Sequence, residues 1–193
     1  MKQQIILLIL TLFPVCSFAD SYNNFSLTDR MSVTEVENIV IGTVLEVLQK
    51  PSEGSCFSFV YKLKVEESLK GTLIKDKVVT IGLNVYSINA KAGQKQLIFL
   101  DNPPKSMGSS CSIGKFGTNN FFITTGYSIG VYEIASDSTK VEKVNTKACF
   151  SKPVIFEKLL SMKKGVSNCK MYYGNLSELV RGIKANLTKN QIK

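Results

Sequence analysis

The run Phe57-Ser58-Phe59-Val60-Tyr61-Lys62-Leu63-Lys64-Val65-Glu66 decides the fold class. Phe57, Phe59, Tyr61, Leu63 and Val65 alternate with mostly polar residues, the period of two of a strand that lays one face on a core. Strand-like segments surround it at short spacing from Asn38 to Leu100. Upstream, residues 39–47 are rich in β-branched side chains and carry Gly42, where a strand bends or another backbone passes close. A strongly bent first strand is what a small closed barrel requires. The turn Lys50-Pro51-Ser52-Glu53-Gly54-Ser55 separates these two strands. Downstream of Lys70-Gly71, residues 77–83 predict a third strand and residues 96–100 a fourth, which Asp101-Asn102-Pro103-Pro104 ends. Gly, Ser and Pro then dominate up to Asn120, the composition of a long surface loop, here pinned by Cys111. Strand character resumes over residues 121–125 and 129–134, the latter forming a hairpin with residues 140–144 across Ser136-Asp137-Ser138-Thr139.

The flanks differ in character. Lys2, an apolar run over residues 5–13 and Ser17-Phe18-Ala19 make residues 1–19 a cleaved secretory signal, and the run is too short to span a bilayer. Cys16 is a poor lipid-attachment site because Val15, not a small residue, precedes it. An exported, soluble mature chain starting at Asp20 is therefore expected, periplasmic or secreted. Residues 20–31 lack apolar periodicity and read as a flexible leader. Ser32 followed by Glu35 has capping-box form and opens a short helix. The barrel is expected over 32–148, with a helical extension packed on it over 149–193. In that extension Pro153 starts a helix over 153–164 that carries Val154, Ile155, Leu159 and Met162. Asn175 and Glu178 form a cap pair for a last helix whose stripe is Leu176, Leu179, Val180, Ile183 and Leu187.

The formal charge is +9, and loss of Lys2 with the signal lowers it by one. The lysines are scattered as on a solvated surface, so the basic balance points to solubility before it points to an anionic partner. Cys56, Cys111, Cys149 and Cys169 remain after cleavage, an even number in an exported chain, which reads as structural disulfides. Four cysteines allow three connectivities; Cys56 with Cys111 and Cys149 with Cys169 is the favoured one. The chain contains no histidine, which removes Ser-His-Asp, Cys-His and His-metal chemistry, and the cysteine spacing is not that of a zinc site. Adjacent Glu66 and Glu67 point to opposite faces of a strand and do not converge as an acid/base pair. The piece 108–114 lacks the ending of a phosphate loop. No catalytic residue, metal site or cofactor is assigned. Asn24, Asn175 and Asn186 sit in formal glycosylation sequons, which matter only in a eukaryotic secretory route.

Glu37-Asn38-Ile39-Val40-Ile41-Gly42-Thr43-Val44-Leu45-Glu46-Val47 resembles the opening strand of the TIMP-like, or netrin-like, OB-fold family. The segment from Phe59 to the Lys70-Gly71 step, and the strand that follows Gly93 and ends at Leu100, are similar to the next parts of that pattern. The resemblance covers roughly residues 32–100 and implies a five-stranded OB-type barrel with helices packed on it. In the animal inhibitors of the family, an N-terminal disulfide-bonded cysteine chelates the zinc of the target protease. This chain has no cysteine between Asp20 and Cys56, so the resemblance implies the fold and not that inhibition. The expected function is an exported, non-enzymatic binding or interaction module with an unknown protein partner. One alternative is a polyanion- or single-stranded nucleic-acid-binding OB protein. In that reading exposed aromatics are needed; Phe57, Phe59 and Tyr61 lie on the core side, leaving Tyr127, Tyr132, Tyr172 and Tyr173 for an open face. The other alternative is a hydrolase working through carboxylates.

Overall fold

The computed structural model describes residues 35–50, 56–83, 90–105, 107, 111, 113–117, 119–124, 130–136, 141–149, 161–164 and 169–190. The expected signal, the leader, residues 32–34 of the expected N-terminal helix and residues 153–160 of the expected helix after Pro153 lie outside these. The strands are β1 (Asn38–Gln49), β2 (Phe59–Lys70), β3 (Val78–Leu83), β4 (Lys95–Asp101), β5 (Phe121–Thr124), β6 (Val131–Ser136), β7 (Glu142–Cys149), β8 (Ser161–Lys164) and β9 (Cys169–Asn175), followed by helix α1 (Leu176–Asn190). Five strands close a barrel in the order β1-β2-β3-β5-β4, with β4 returning to β1. Every barrel pairing is antiparallel except β3 with β5, which run parallel through Thr80↔Phe121, Ile81↔Phe122 and Gly82↔Ile123. One edge of β4 takes β1; the other is shared between β5 near Leu100 and β6 along residues 95–98. The sheet runs on from β6 through β7 and β9 to β8.

The first strand can serve two partners because it coils. Its pairing with β2 slips at four places, while Asn38–Thr43 pair with β4 in unbroken register. Gly42 permits this. A Cβ there would stand 2.5 Å from the Lys64 carbonyl oxygen and 2.9 Å from Leu63 Cδ2, so the close backbone approach expected at this glycine is real. Inside the barrel lie Val40, Val44, Phe59, Tyr61, Leu63, Val65, Ile81, Ile98 and Leu100. The opposite faces of β1 and β4 are buried too. Ile39, Ile41, Leu97 and Phe99 join Tyr132, Ile134 and Val144 under Leu176, Leu179 and Ile183 of α1. The predicted stripe of the last helix is thus its docking face, with Val180 and Leu187 packed partly buried beside it.

Gly71 and Asn38 lock the β2–β3 connection onto the start of β1. Gly71 has φ +96°, and a Cβ on it would overlap Asn38 Oδ1 and come within 2.5 Å of the Glu37 carbonyl oxygen. The buried Asn38 carboxamide accepts from the backbone N–H groups of Thr72 (3.0 Å) and Leu73 (3.4 Å), and the Lys70 ammonium donates to the Val36 carbonyl. The Lys-Gly step therefore has two separate duties: lysine closes over the chain entering β1, and glycine leaves room for the asparagine.

Three expectations are corrected. The region 149–193 is not simply helical: Cys149 ends β7, and Ser161–Lys164, the end of the expected helix after Pro153, pair as strand β8 with β9. Apolar residues at near-helical spacing preceded that segment, but pairing with a neighbouring strand overrides the local pattern. Phe57 does not share the barrel interior with Phe59; it precedes β2 and packs outside with Val60, Ile113 and Phe121. Tyr132 is fully buried, carried inward on β6 beneath α1 with its ring 5.9 Å from that of Phe99.

Candidate groove on the outer face of β2 and β3

Alternation along β2 and β3 sorts their residues between interior and exterior. Tyr61↔Ile81 and Leu63↔Val79 face inward, whereas Val60↔Gly82, Lys62↔Thr80 and Lys64↔Val78 form three outward rows. The first row is roofed. Phe57 and Phe121 meet above it at 5.3 Å between centroids, and Gly82 makes the space: a Cβ there would lie 2.7 Å from Phe121 and 2.8 Å from Phe57. Val60 and Ile113 complete this small outer core.

The disulfide Cys56–Cys111 holds the roof in place, the pairing favoured from the sequence. It ties the entrance of β2 to the long β4–β5 connection. Within that connection the Met107 N–H donates to the Pro104 carbonyl (2.9 Å) and the Cys111 N–H to that of Met107 (3.0 Å). A 3₁₀ turn, Ile113–Phe116, follows, and Gly117 leaves it at φ +85°. Ile113 is buried, Phe116 half-buried with its centroid 6.2 Å from Phe121 and the Lys115 ammonium 4.7 Å from its own. The Thr80 N–H donates to the Asn120 carbonyl (2.8 Å), stitching the end of the connection to β3.

Where the roof stops, a groove of about 490 Å³ opens, lined by Lys62, Val78 and Thr80 on the sheet and by Gly114, Phe116, Gly117, Asn119 and Asn120 on the connection. This falls within the ~300–1,000 Å³ of small-molecule sites. Its lining offers one ammonium, one hydroxyl, two carboxamides, an aromatic ring and an aliphatic side chain. Lys62 pairs with Glu46 across β1 at 3.0 Å, and the neighbouring Lys64 pairs with Asp76 at 2.9 Å. The hydrogen bond from Lys64 holds the Asp76 carboxyl below the usual carboxylate range and raises the lysine in turn.

The adjacent carboxylates Glu66 and Glu67 diverge. Glu66 accepts from the Thr43 hydroxyl (2.5 Å) and stands 3.5 Å from Lys95, which also pairs with Glu142 at 2.8 Å; Glu67 pairs with Lys184 of α1 at 3.3 Å. These contacts fasten the barrel to β7 and to the helix. Inside the barrel the Tyr61 hydroxyl donates to Gln96 Oε1 (3.0 Å), and burial pushes this phenol and that of Tyr132 well above the ordinary tyrosine range. Of the other cysteines, Cys149 and Cys169 are direct Cα partners in the β7–β9 register. Tyr173 is exposed, and Tyr127 lies outside the described residues.

The sequence alone marks no ligand-binding residue. Lys62 and Thr80 are recoverable as outward positions of their strands, but Phe116, Asn119 and Asn120 lie in an aperiodic connection that the disulfide, Ile113 and the Asn120 carbonyl bring over the sheet. Comparison with protein-family models and with curated proteins finds no match to this chain, so the barrel and its groove rest on their own geometry.

Proposed function

We propose that this chain is an exported, non-enzymatic binding module of the TIMP-like, or netrin-like, OB-fold family that holds its partner in the groove over β2 and β3. One observation carries the reading: the Cys56–Cys111 bridge joins the β1–β2 and β4–β5 connections beside the outer face of β2 and β3, and the groove opens there. OB barrels use this face and these two loops to bind. The family assignment is supported by the strand order, the close approach at Gly42 and the Asn38–Gly71 lock, which give physical reasons for the residues that carry the resemblance. A binding role, not a catalytic one, is supported by the lining: its hydroxyl belongs to Thr80 on β3, its ammonium is ion-paired, and the nearby carboxylates Glu46 and Asp76 are engaged by lysines. Export is supported by the disulfide and by the N-terminal sequence. Among the described residues no helix is long and apolar enough to cross a membrane.

The test compares the mature, oxidised protein with Gly114→Gln as baits for extracellular material. Gly114 lines the groove and a Cβ on it meets nothing within 4 Å, so a bulky side chain is accommodated at the groove wall without a clash. Capture lost in the variant supports the reading. Capture that survives unchanged, or turnover of a substrate by the purified protein, overturns it.

A further inference from the structure

We infer that β7, β9 and β8, the part of the sheet beyond the barrel, form a docking face for an anionic lipid bilayer, independent of the groove. The distribution of charge is the first observation. Residues 1–139 hold twelve Lys and Arg against twelve Asp and Glu, and residues 140–193 hold twelve against three, so the entire formal excess of +9 lies in the last 54 residues. Within that stretch the three strands carry five lysines and one acid, Glu142, which Lys95 of β4 takes at 2.8 Å. The register is the second observation. It sets Lys147, Met171 and Lys163 in one row across β7, β9 and β8 and Asn145, Tyr173 and Ser161 in the next, with Lys143 opposite Asn175 beyond. Tyr173 thus has lysine positions at three of its diagonals, Lys143, Lys147 and Lys163, where neighbours stand about 7–8 Å apart. These rows belong to the face turned away from α1. Val144, of the other face, is buried under the helix, whereas Lys143 and Tyr173 are exposed. The Lys143 ammonium donates to the Asn175 carboxamide (2.9 Å), an acceptor without charge. Glu133, half-buried on β6 in the row of Asn145, is an acid of the same face.

A bilayer suits this arrangement better than a polymer. Lysine positions fall on both faces of the extension, Lys164 and Lys170 sharing a row on the side of Val144. A bound polymer draws on cations aligned along its track, and a single nucleic-acid strand also needs a series of stacking rings, where these rows contain one, Tyr173. A plane of anionic headgroups attracts every lysine within roughly the 8–10 Å Debye length, whichever face of a thin sheet it stands on. Tyrosine is a residue of the membrane–water interface, and at Tyr173 it stands among basic positions, an aromatic anchor beside headgroup-pairing charge. The first 139 residues, with balanced charge, give such a field nothing to attract, so the molecule is steered onto the surface by its extension.

The chain has no tryptophan, so Tyr173→Trp introduces a single reporter on this face, and Ile74→Trp, at a residue 70% exposed on the β2–β3 connection, one on the barrel. Each oxidised mature variant is titrated with vesicles of phosphatidylglycerol and phosphatidylcholine and with vesicles of phosphatidylcholine alone; the parent chain is titrated with heparin in parallel. Anionic vesicles are expected to shift the Tyr173→Trp emission to the blue and to leave Ile74→Trp unmoved, with neutral vesicles silent at both. In cosedimentation, Lys147→Gln with Lys163→Gln should lower partitioning about thirtyfold. Lys75→Gln with Lys77→Gln, which removes equal charge from the exposed β2–β3 connection, should leave it near that of the parent. Thermal melting checks that the lysine variants fold; if the first pair does not, the two reporters decide. A blue shift at Ile74→Trp alone, or equal losses in the two lysine pairs, overturns the face. Heparin binding without vesicle binding overturns the bilayer in favour of a polyanionic polymer. Absence of binding to anionic vesicles at low salt overturns the proposal and leaves the groove, which Gly114→Gln tests, untouched.

Discussion

Replacing Gly71 with alanine strikes the contact that fixes the β2–β3 connection to the start of β1. At φ +96° an L-residue costs about 1–2 kcal/mol. The new methyl also overlaps Asn38 Oδ1, so the carboxamide must leave, stranding the Thr72 and Leu73 N–H groups it accepts from. Losing the acceptor for a buried donor costs about 1–3 kcal/mol. The expected total is about 2–5 kcal/mol, a large share of the ~5–15 kcal/mol that holds a domain together. Gly93→Ala is the matched control. Gly93 has φ +81° but open space around its Cβ position, so only the backbone cost of about 1–2 kcal/mol applies. Urea unfolding of the oxidised mature chain, monitored by circular dichroism, measures both. Asn38→Ala completes a cycle: with the asparagine already gone, Gly71→Ala should cost less than in its presence. Equal losses for Gly71→Ala and Gly93→Ala, or strict additivity in the cycle, would refute the lock.

Non-reducing peptide mapping should find Cys56 linked to Cys111 and Cys149 to Cys169; any crossed linkage contradicts the β7–β9 register. Removing the first bridge as Cys56→Ser with Cys111→Ser should cost about 4 kcal/mol, from the entropy of a loop whose ends are 55 residues apart. Calorimetry of the two forms decides it. Alkaline pH should unfold the protein cooperatively: the buried Tyr61 and Tyr132 phenols have raised pKa values, so the stability they confer is intact below about pH 10, where unfolded tyrosine ionises, and is lost above it. Ultraviolet titration should show these two ionising only with unfolding, and early reversible ionisation of all tyrosines would contradict their burial. Leu179→Ala on α1 should cost about 2–5 kcal/mol by thermal or urea melting, because Leu179 is fully buried in the core cluster that the helix shares with β1, β4, β6 and β7; a loss near zero would mean the helix does not dock there.

The barrel was legible where the chain alternates. In β2 the inward set Phe59, Tyr61, Leu63 and Val65 and the outward Lys62 and Lys64 follow directly from a period of two, and Gly42 announced a close approach that Lys64 and Leu63 supply. The last helix was legible because its apolar stripe spans three turns. Periodicity failed at 161–164, where four residues are too few to distinguish a helix end from a strand whose partner, β9, arrives later in the chain. It failed at Phe57 for a related reason: alternation says which side a strand residue faces, but this residue stands two residues before β2, where the chain answers to the disulfide beside it.

The groove was illegible because it combines two kinds of information that reside in different parts of the chain. Its floor, Lys62, Val78 and Thr80, is set by strand pairing and could be inferred from alternation. Its wall, Gly114 to Asn120, has no period and acquires a position only through Cys111 reaching Cys56, Ile113 burying against Val60, and the Asn120 carbonyl accepting from Thr80. At the groove, charge too is distributed by pairing and not by position in the sequence. Counting charge along the chain gives a basic protein, whereas folding sets Glu46 beside Lys62 and Asp76 beside Lys64 on the face that the loop covers. What the loop sets over the strands is thus a mixed lining, the Lys62 ammonium and the Thr80 hydroxyl of the sheet beside the Asn119 and Asn120 carboxamides and the Phe116 ring.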